Sequence, residues 1–273
     1  MGESVFDQVL AKAKKQKRRI GIGIIKDEPE IIASLKRAQE LVEVVVYGLK
    51  IDGFECYEAP DKEAGPLMVR HLKEGKIDQF VRGQVDDLSM IEEYKKQFNL
   101  PADLKRVAFA LMEDKDGWQF FLVAASNPDA QDLADKIRLI DPLTDWMKNK
   151  FNLEPKVAVM ATCRPESVGK DLVMTQTYEE AEAVVKHLTE KGIEARNVNI
   201  ELEQAKAWPA NVLMAARGPI GNQIFRAMYH CGGGKVIICP TILTEGHIYE
   251  DDSRSEKDYY THIVFAQALA NEK

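Results

Sequence analysis

The chain has 273 residues, of which 45% are hydrophobic and 30% charged, so it is long enough for one large or two modest globular domains. Acidic residues outnumber basic ones by 44 to 37, and the net charge of −7 argues against a protein that neutralises the phosphates of a nucleic acid. The sequence contains four scattered cysteines without a CxxC pair, no run approaching about 18 apolar residues and no signal-peptide pattern, so we expect a cytoplasmic protein without a zinc ribbon, disulfide framework or membrane span.

Helix and strand patterns alternate through the first 125 residues. Three short apolar runs predict buried strands, because parallel strands covered on both faces read as continuous hydrophobic segments. The predicted strands are residues 20–25, 44–47 and 77–81, and the predicted helices are residues 6–17, 31–41, 67–72 and 87–98. Two further apolar runs, 106–112 and 118–125, flank Asp116-Gly117, which predicts a β-hairpin.

The same alternation continues after the hairpin. Asn127 before Pro128 predicts a helix start, and Thr177 with Glu180 has the spacing of a capping box that would open another helix. The predicted strands are residues 155–160, 211–215 and 236–239, the predicted helices include residues 133–140, 224–229 and 257–270, and a polar loop is predicted over 244–255. We expect two domains, the first formed by residues 1–125 plus 236–273 and the second by residues 126–235.

Two apparent ligand-binding motifs lack the residues or the spacing that binding requires. Gly21 and Gly23 suggest a dinucleotide fingerprint, but the third glycine would fall at Lys26, and both glycines lie inside the strand rather than after it. They are better explained as positions where a helix packs closely on the strand. The spacing of the later histidines and cysteines matches no common zinc pattern, so no metal site is predicted.

The most specific pattern lies in the last quarter of the chain. It contains Gly221-Asn222, Phe225-Arg226 and then Asp252-Ser253-Arg254. Together with Val81-Arg82-Gly83 and Ala125-Ser126-Asn127-Pro128, these segments resemble, in the same order, the motifs of the phosphate acetyltransferase/butyryltransferase family. The similarity runs from about residue 20 to the C-terminus. It is greatest to a divergent branch, the MtxX-like methanogenesis marker protein 4 group, whose members are often labelled methyltransferase-related.

This resemblance implies a fold, a reaction and an assembly. The fold would consist of two α/β domains around a cleft, similar to isocitrate and isopropylmalate dehydrogenases, and the protein would usually be a homodimer. The reaction would transfer an acyl group between coenzyme A and inorganic phosphate. Coenzyme A would therefore be a substrate, and the chemistry would need no metal.

The resemblance also implies roles for particular residues. Arg254 would grip two phosphate oxygens with its planar guanidinium, and Ser253 would donate a hydrogen bond to the tetrahedral oxygen or the thiol. Backbone N–H groups of a helix beginning near Gly221 would add affinity for anions. The catalytic candidates are Ser253, Arg254 and Asp258, and the ligand-binding candidates are Arg82, Gly221, Asn222, Arg226 and Asn127. The alternative is that residues 252–256 form a solvated loop whose serine caps the next helix, and that Arg82 and Arg226 are surface arginines.

The sequence departs from the family pattern at the position of its general base. The family has an aspartate six residues after the arginine, where this chain has Tyr260, while Asp258 lies two residues earlier. Either the loop differs in length or the base is missing. Ser255 also replaces the family's glycine, and Arg226 replaces its lysine.

Three functions therefore remain open at the level of the sequence. The first is a transferase that binds a phosphate-containing acyl donor or coenzyme A and transfers the acyl group. The second is a methyltransferase-related role in methanogen C1 metabolism, although no motif for S-adenosylmethionine, pterin or corrinoid binding is found. The third is a non-catalytic binding or assembly factor that kept the pocket and lost the base.

Overall fold

The computed structural model describes residues 4–126 and 128–272, which form two compact α/β units. Unit 1 combines Met1–Arg106 with Ile238–Lys273, and unit 2 spans Val107–Ile237. The first boundary between the units lies before the hairpin, at Arg106, whereas the boundary predicted from the sequence lies after the hairpin, near Ala125. The hairpin falls in unit 2 because its second strand pairs with a strand some 90 residues later, through partners such as Phe121 and Val212. Among the described residues, no helix is both long enough and apolar enough to cross a membrane.

The helices and strands alternate along most of the chain. The strands are β1 Arg19–Ile24, β2 Glu43–Gly48, β3 Glu55–Glu58, β4 Gln79–Val81, β5 Val107–Glu113, β6 Gln119–Val123, β7 Lys156–Met160, β8 Glu194–Asn199, β9 Val212–Met214, β10 Lys235–Ile238, β11 Pro240–Thr244 and β12 His247–Glu250. The helices are α1 Val5–Ala13, α2 Pro29–Ala38, α3 Asp61–Lys73, α4 Asp87–Gln97, α5 Leu133–Phe151, α6 Leu172–Glu190, α7 Leu202–Ala207, α8 Gly218–Arg226 and α9 Tyr260–Ala270. A π-helical turn over Ala227–Cys231 continues α8.

The sheet of unit 1 has the strand order β3-β2-β1-β4-β12-β11. Its neighbouring strands are parallel except for β11, which runs antiparallel to β12. The chain moves outward from β1 through β2 to β3 and then crosses back to place β4 on the other side of β1. The connections after β1 and β4 lead to helices on opposite faces of the sheet, and crevices at such points are where open α/β sheets bind ligands.

Helices cover this sheet on both faces. The terminal helix α9 is apolar nearly all round, and Ile263 and Ala266 pack with Ile20 and Ile22 of β1. On the other face, Met68 of α3 packs into a second apolar cluster. A Cβ on Gly21 would lie only 2.8 Å from the Ile77 side chain and 3.2 Å from that of Met68. The glycine thus permits the close packing that the sequence analysis expected.

The sheet of unit 2 has the strand order β5-β6-β9-β7-β8, and β10 pairs with β5. The hairpin strands β5 and β6 are antiparallel as predicted, while β6, β9, β7 and β8 are parallel neighbours. The carboxyl ends of these four parallel strands consequently meet at one edge of the sheet.

Two predicted helix starts in unit 2 were wrong. Helix α6 begins five residues before Thr177 and is capped by Asp171, whose carboxylate accepts from the Met174 N–H. Thr177 instead bonds the Thr162 hydroxyl at 2.7 Å. Helix α5 is capped by Asp132, and Asn127, the predicted cap, lies outside the described residues. The capping-box pattern was misleading because Glu180 is used for tertiary ion pairs, with Lys136 at 2.9 Å and with Arg217.

Candidate functional site

Four of the predicted site residues lie at the carboxyl edge of the unit 1 sheet. Arg82 directly follows β4, and Ser253, Arg254 and Asp258 lie in the segment after β12, residues 251–258, which we call the Ser-Arg loop. The two strands are parallel neighbours, with Val81 opposite Glu250, and the Arg82 N–H donates to the Glu250 carbonyl at 2.9 Å. The Ser-Arg loop therefore begins beside Arg82.

Arg82 is buried, with only 5% of its surface exposed, and it fixes the beginning of the Ser-Arg loop. Its guanidinium donates to the Asp251 carboxylate and to the backbone carbonyl of Asp252, while a third N–H reaches the Val85 carbonyl at 3.3 Å. Burial alone would lower the pKa of Arg82, but the charges of Asp251 and Asp252 raise it above its ordinary value. Arg82 is thus a buried cation that fixes the beginning of the Ser-Arg loop, and it is not a surface arginine.

A second arginine extends this ion-pair network. Arg106 makes a two-pronged contact with the Asp87 carboxylate at 2.7 and 2.8 Å, and it lies 3.9 Å from Asp251. Asp251 consequently stands between two guanidinium groups. These partners were not predicted, because the strand before Asp251 lies in a segment that reads as a polar loop. Asp87, at the start of a predicted helix, is the one partner for which the sequence holds a signal.

Ser253 and Arg254 lie in the middle of the Ser-Arg loop, where Ser253 is half-buried and Arg254 is exposed. The hydroxyls of Ser253 and Ser255 lie 2.8 Å apart. The Arg254 side chain is 50% exposed, and its guanidinium pairs at 2.8 Å with Asp61, the first residue of α3. An exposed guanidinium beside hydroxyl groups can receive an anion, provided that the anion competes with the Asp61 carboxylate. Ser253 does not cap α9, because the cap position of that helix is Tyr259.

Asp258 lies at the other end of the loop and has a different partner. Its carboxylate accepts two contacts from Arg37 of α2, at 2.6 and 2.8 Å, and it also accepts from the Tyr260 N–H at 3.1 Å. Tyr260 occupies the position of the family's base, and its ring packs 4.4 Å from the Arg37 guanidinium. In the part of the chain that the structure describes, no hydrogen bond or ion pair joins Asp258 to Ser253 or Arg254.

A buried histidine with carboxylate neighbours lies beneath the Ser-Arg loop. His262 of α9 is fully buried, with Nδ1 at 2.6 Å from the Glu250 carboxylate and Nε2 at 3.9 Å from that of Glu256. Burial raises the pKa of Glu250 to about 7, against the opposing hydrogen bond from His262. Among residues 4–126 and 128–272, no three histidine, cysteine, aspartate or glutamate side chains are arranged to hold a metal ion.

Three of the remaining predicted residues, Gly221, Asn222 and Arg226, lie on α8 in unit 2, and the fourth, Asn127, lies outside the described residues. A Cβ on Gly221 would lie 2.0 Å from the Ala124 carbonyl oxygen, and the Asn222 amide donates to the Ala125 carbonyl at 3.1 Å. These two residues therefore hold α8 against the chain that follows β6. Arg226, at the end of α8, is exposed.

The expected anion-binding helix start does not lie at Gly221. Helix α8 begins at Gly218, and the Gly221 N–H already donates to the Arg217 carbonyl at 3.0 Å. The prediction of free N–H groups at Gly221-Asn222 was wrong, because Gly218-Pro219 starts the helix almost one turn earlier. Proline is favoured in the first turn of a helix, where it loses no hydrogen bond.

Comparison with solved structures identifies the class of fold. The chain matches a branched-chain phosphotransacylase from Enterococcus faecalis with a TM-score of 0.69 and 18% identity, covering 92% of this chain and 99% of that one. It also matches the EutD phosphotransacetylase from Staphylococcus aureus with a TM-score of 0.63 and 15% identity, covering 98% and 100% of the two chains. The protein thus has the α/β fold of the phosphotransacylases, as predicted.

Sequence comparison finds relatives of higher identity. The chain is 28% identical to the "Putative methyltransferase mtx subunit X" of Methanosarcina mazei, over 98% of this chain and 96% of that protein. The protein of the same name from Methanosarcina barkeri is also 28% identical, over 95% and 96% of the two chains. No family model matches the sequence. These findings confirm the predicted resemblance to a phosphotransacetylase-like branch that includes the MtxX-like proteins.

Proposed function

We propose that the protein binds a phosphate-containing acyl donor or coenzyme A at the Ser-Arg loop and transfers the acyl group between coenzyme A and phosphate. One observation carries this proposal. The loop is fixed at its beginning by buried Arg82, yet it presents Arg254 half exposed at the carboxyl edge of a parallel sheet. A fixed loop with a solvent-accessible guanidinium is what recognition of a phosphate dianion requires.

Each residue of the loop has a role in this proposal. The thiolate of coenzyme A would attack the carbonyl carbon of the acyl phosphate, a C–S bond would form, and the bond to the phosphate oxygen would break. Arg254 would leave Asp61 and stabilise the departing phosphate, while Ser253 would donate a hydrogen bond to the tetrahedral oxygen. Asp258 would accept the thiol proton only after separating from Arg37, so the transfer of this proton is the most demanding step for this chain.

Arsenate-dependent breakdown of short acyl-coenzyme A thioesters tests the acyl transfer directly. We expect the purified protein to consume one or more of these thioesters only when arsenate is present. Arg254→Ala should lower this activity by on the order of 10²–10³-fold, because it removes the cation that balances the developing charge. Arg70→Ala is the matched control, since Arg70 is a 42% exposed arginine of the same unit paired with Glu93.

The outcome of this assay decides between the proposals. Equal activity of Arg254→Ala and Arg70→Ala would contradict the role of Arg254. A protein that binds coenzyme A saturably but turns over none of several acyl groups would be a binding or assembly factor.

A second candidate function rests on the names of the relatives. Proteins 28% identical to this chain along nearly its whole length are named as a putative methyltransferase subunit. If this chain takes part in methyl transfer, corrinoid or pterin absorbance should co-purify with it from its native source. A preparation without such absorbance that shows arsenolysis would exclude this alternative.

A further inference from the structure

His262 lies between the residue that precedes the Ser-Arg loop and a residue near the end of that loop. Its Nδ1 lies 2.6 Å from the carboxylate of Glu250, the last residue of β12 and the residue that precedes the loop. Its Nε2 lies 3.9 Å from the carboxylate of Glu256, near the end of the loop. The three side chains are 0–4% exposed, so water does not screen these interactions appreciably.

The charges around His262 favour its protonated form. Burial alone would lower the pKa of His262, but the hydrogen bond and charge of Glu250, with the charges of Asp252 and Glu256, raise it to about 9. On the far side of Glu250, the Cys239 N–H donates to the same carboxylate oxygen at 2.6 Å. Asp251 adds a further negative charge near Glu250. An imidazolium between Glu250 and Glu256 attracts both carboxylates.

The other contacts of Glu256 make it an anchor for the loop. One of its carboxylate oxygens accepts the backbone N–H groups of Lys257 and Asp258, at 2.7 and 2.9 Å. The backbone N–H of Glu256 donates to the Ser253 carbonyl at 2.8 Å, which closes a turn around Ser253 and Arg254. A cation that holds Glu256 in place thus holds the turn that carries the candidate site.

We infer that His262 is a positioning residue, whose imidazolium joins the end of β12 to Glu256 and so fixes the turn that presents Ser253 and Arg254. Its effect on ligand binding rests on the function proposed above, whereas its effect on the order of the loop does not. Because His262 is fully buried, it acts through Glu256 and makes no contact with a ligand.

Trypsin cleavage within the loop measures its order without any ligand. Arg254 and Lys257 are cleavage sites in the loop. In the intact protein, His262→Gln should accelerate cleavage at these sites by on the order of tenfold, because local opening becomes easier. Gln267→Leu is the matched control. Gln267 is a buried polar residue of the same helix, and its side chain bonds the Ala13 and Leu41 carbonyls, far along the chain from the loop. Equal cleavage rates in the two variants would overturn the inference.

The pH dependence separates the imidazolium from a purely packing role. As pH rises through about 9, His262 loses its proton, so cleavage of the wild-type loop should rise between about pH 8 and pH 10. Rates are divided by those of a free peptide of residues 250–261, which removes the pH response of trypsin. In the double variant Glu250→Gln/His262→Gln, neither side chain titrates between pH 8 and pH 10. The normalised cleavage rate of this variant should therefore stay constant over about this range. A rise of equal size in this double variant would contradict the inference.

Inorganic phosphate then tests the connection to the proposed function. Phosphate should slow cleavage after Arg254 in the wild type and in Gln267→Leu, and about tenfold more phosphate should be needed in His262→Gln. If phosphate protects neither protein while His262→Gln still loosens the loop, the proposed function fails and the positioning role stands. If phosphate protects wild type and His262→Gln equally, the positioning role fails and the proposed site stands.

Discussion

Arg82 shows how a single buried cation organises the candidate site. Its guanidinium donates to the Asp251 carboxylate and to the Asp252 carbonyl, and the Asp252 carboxylate lies 3.6 Å away. Burial raises the pKa of Asp252 well above its ordinary value even though Arg82 opposes the shift. The arrangement carries a large desolvation cost, which the attraction between Arg82 and the two carboxylates offsets in part.

Removal of this cation should be strongly destabilising. Arg82→Met keeps the apolar stem but leaves Asp251 and Asp252 without their buried partner, so we expect a loss of about 3–5 kcal/mol in the free energy of unfolding, measured by urea denaturation. Arg70→Ala removes a partly exposed ion pair with Glu93 and should change the free energy of unfolding by less than about 1 kcal/mol. Similar urea midpoints for the two variants would mean that Arg82 does not hold the loop.

The sequence was sufficient to locate these residues but not their partners. Arg82 follows an apolar run, and parallel strands bring such positions to one edge, so its place at the carboxyl edge of the sheet could be inferred. Its pairing with Asp251, 169 residues later, depends on β12 lying beside β4, and that contact involves a single register pair. A four-residue strand inside a polar segment gives too weak a pattern, and residues 244–255 were predicted to be a loop. The pairing of Asp258 with Arg37 depends equally on the packing of α2.

At the scale of secondary structure, the position of α8 depends on Gly221, which has no side chain. Gly221 faces the Ala124 carbonyl so closely that any Cβ would overlap it. Ala124 itself adopts a positive φ of 62°, a conformation that costs energy for a residue other than glycine. The segment after β6 and the first turns of α8 are thus shaped to fit each other.

Gly221→Ala should therefore loosen this helix. A methyl group forces the backbone of α8 or of Ala124 to move, and we expect a loss of about 1–3 kcal/mol in unfolding free energy. Gln223→Ala, at an exposed position of the same helix, should change it by no more than about 0.5 kcal/mol. Thermal unfolding of both variants provides the measurement, and an unchanged melting temperature for Gly221→Ala would refute the close approach.

At the scale of the whole molecule, the two units differ in how the chain builds them. Unit 2 is continuous, with its own sheet and helices, whereas unit 1 needs both ends of the chain. A fragment of residues 107–237 should fold alone and unfold cooperatively. A fragment of residues 1–106 should not, because it lacks β11, β12 and α9, whose Ile263 and Ala266 complete the apolar cluster on β1. Circular dichroism during thermal unfolding distinguishes the two outcomes, and a cooperative transition in the shorter fragment would contradict this account.

The late position of α9 along the chain has a consequence for biosynthesis. Domains commonly fold as units while the ribosome is still adding residues. Here the strands β1 to β4 emerge early and must wait, with apolar surface uncovered, until the residues up to Ala270 have left the exit tunnel. Unit 2 can fold while the residues up to Ala270 are being synthesised. The surface that we propose to recognise phosphate is therefore completed only after unit 2 has been synthesised, because β12, the Ser-Arg loop and α9 follow unit 2 in the chain.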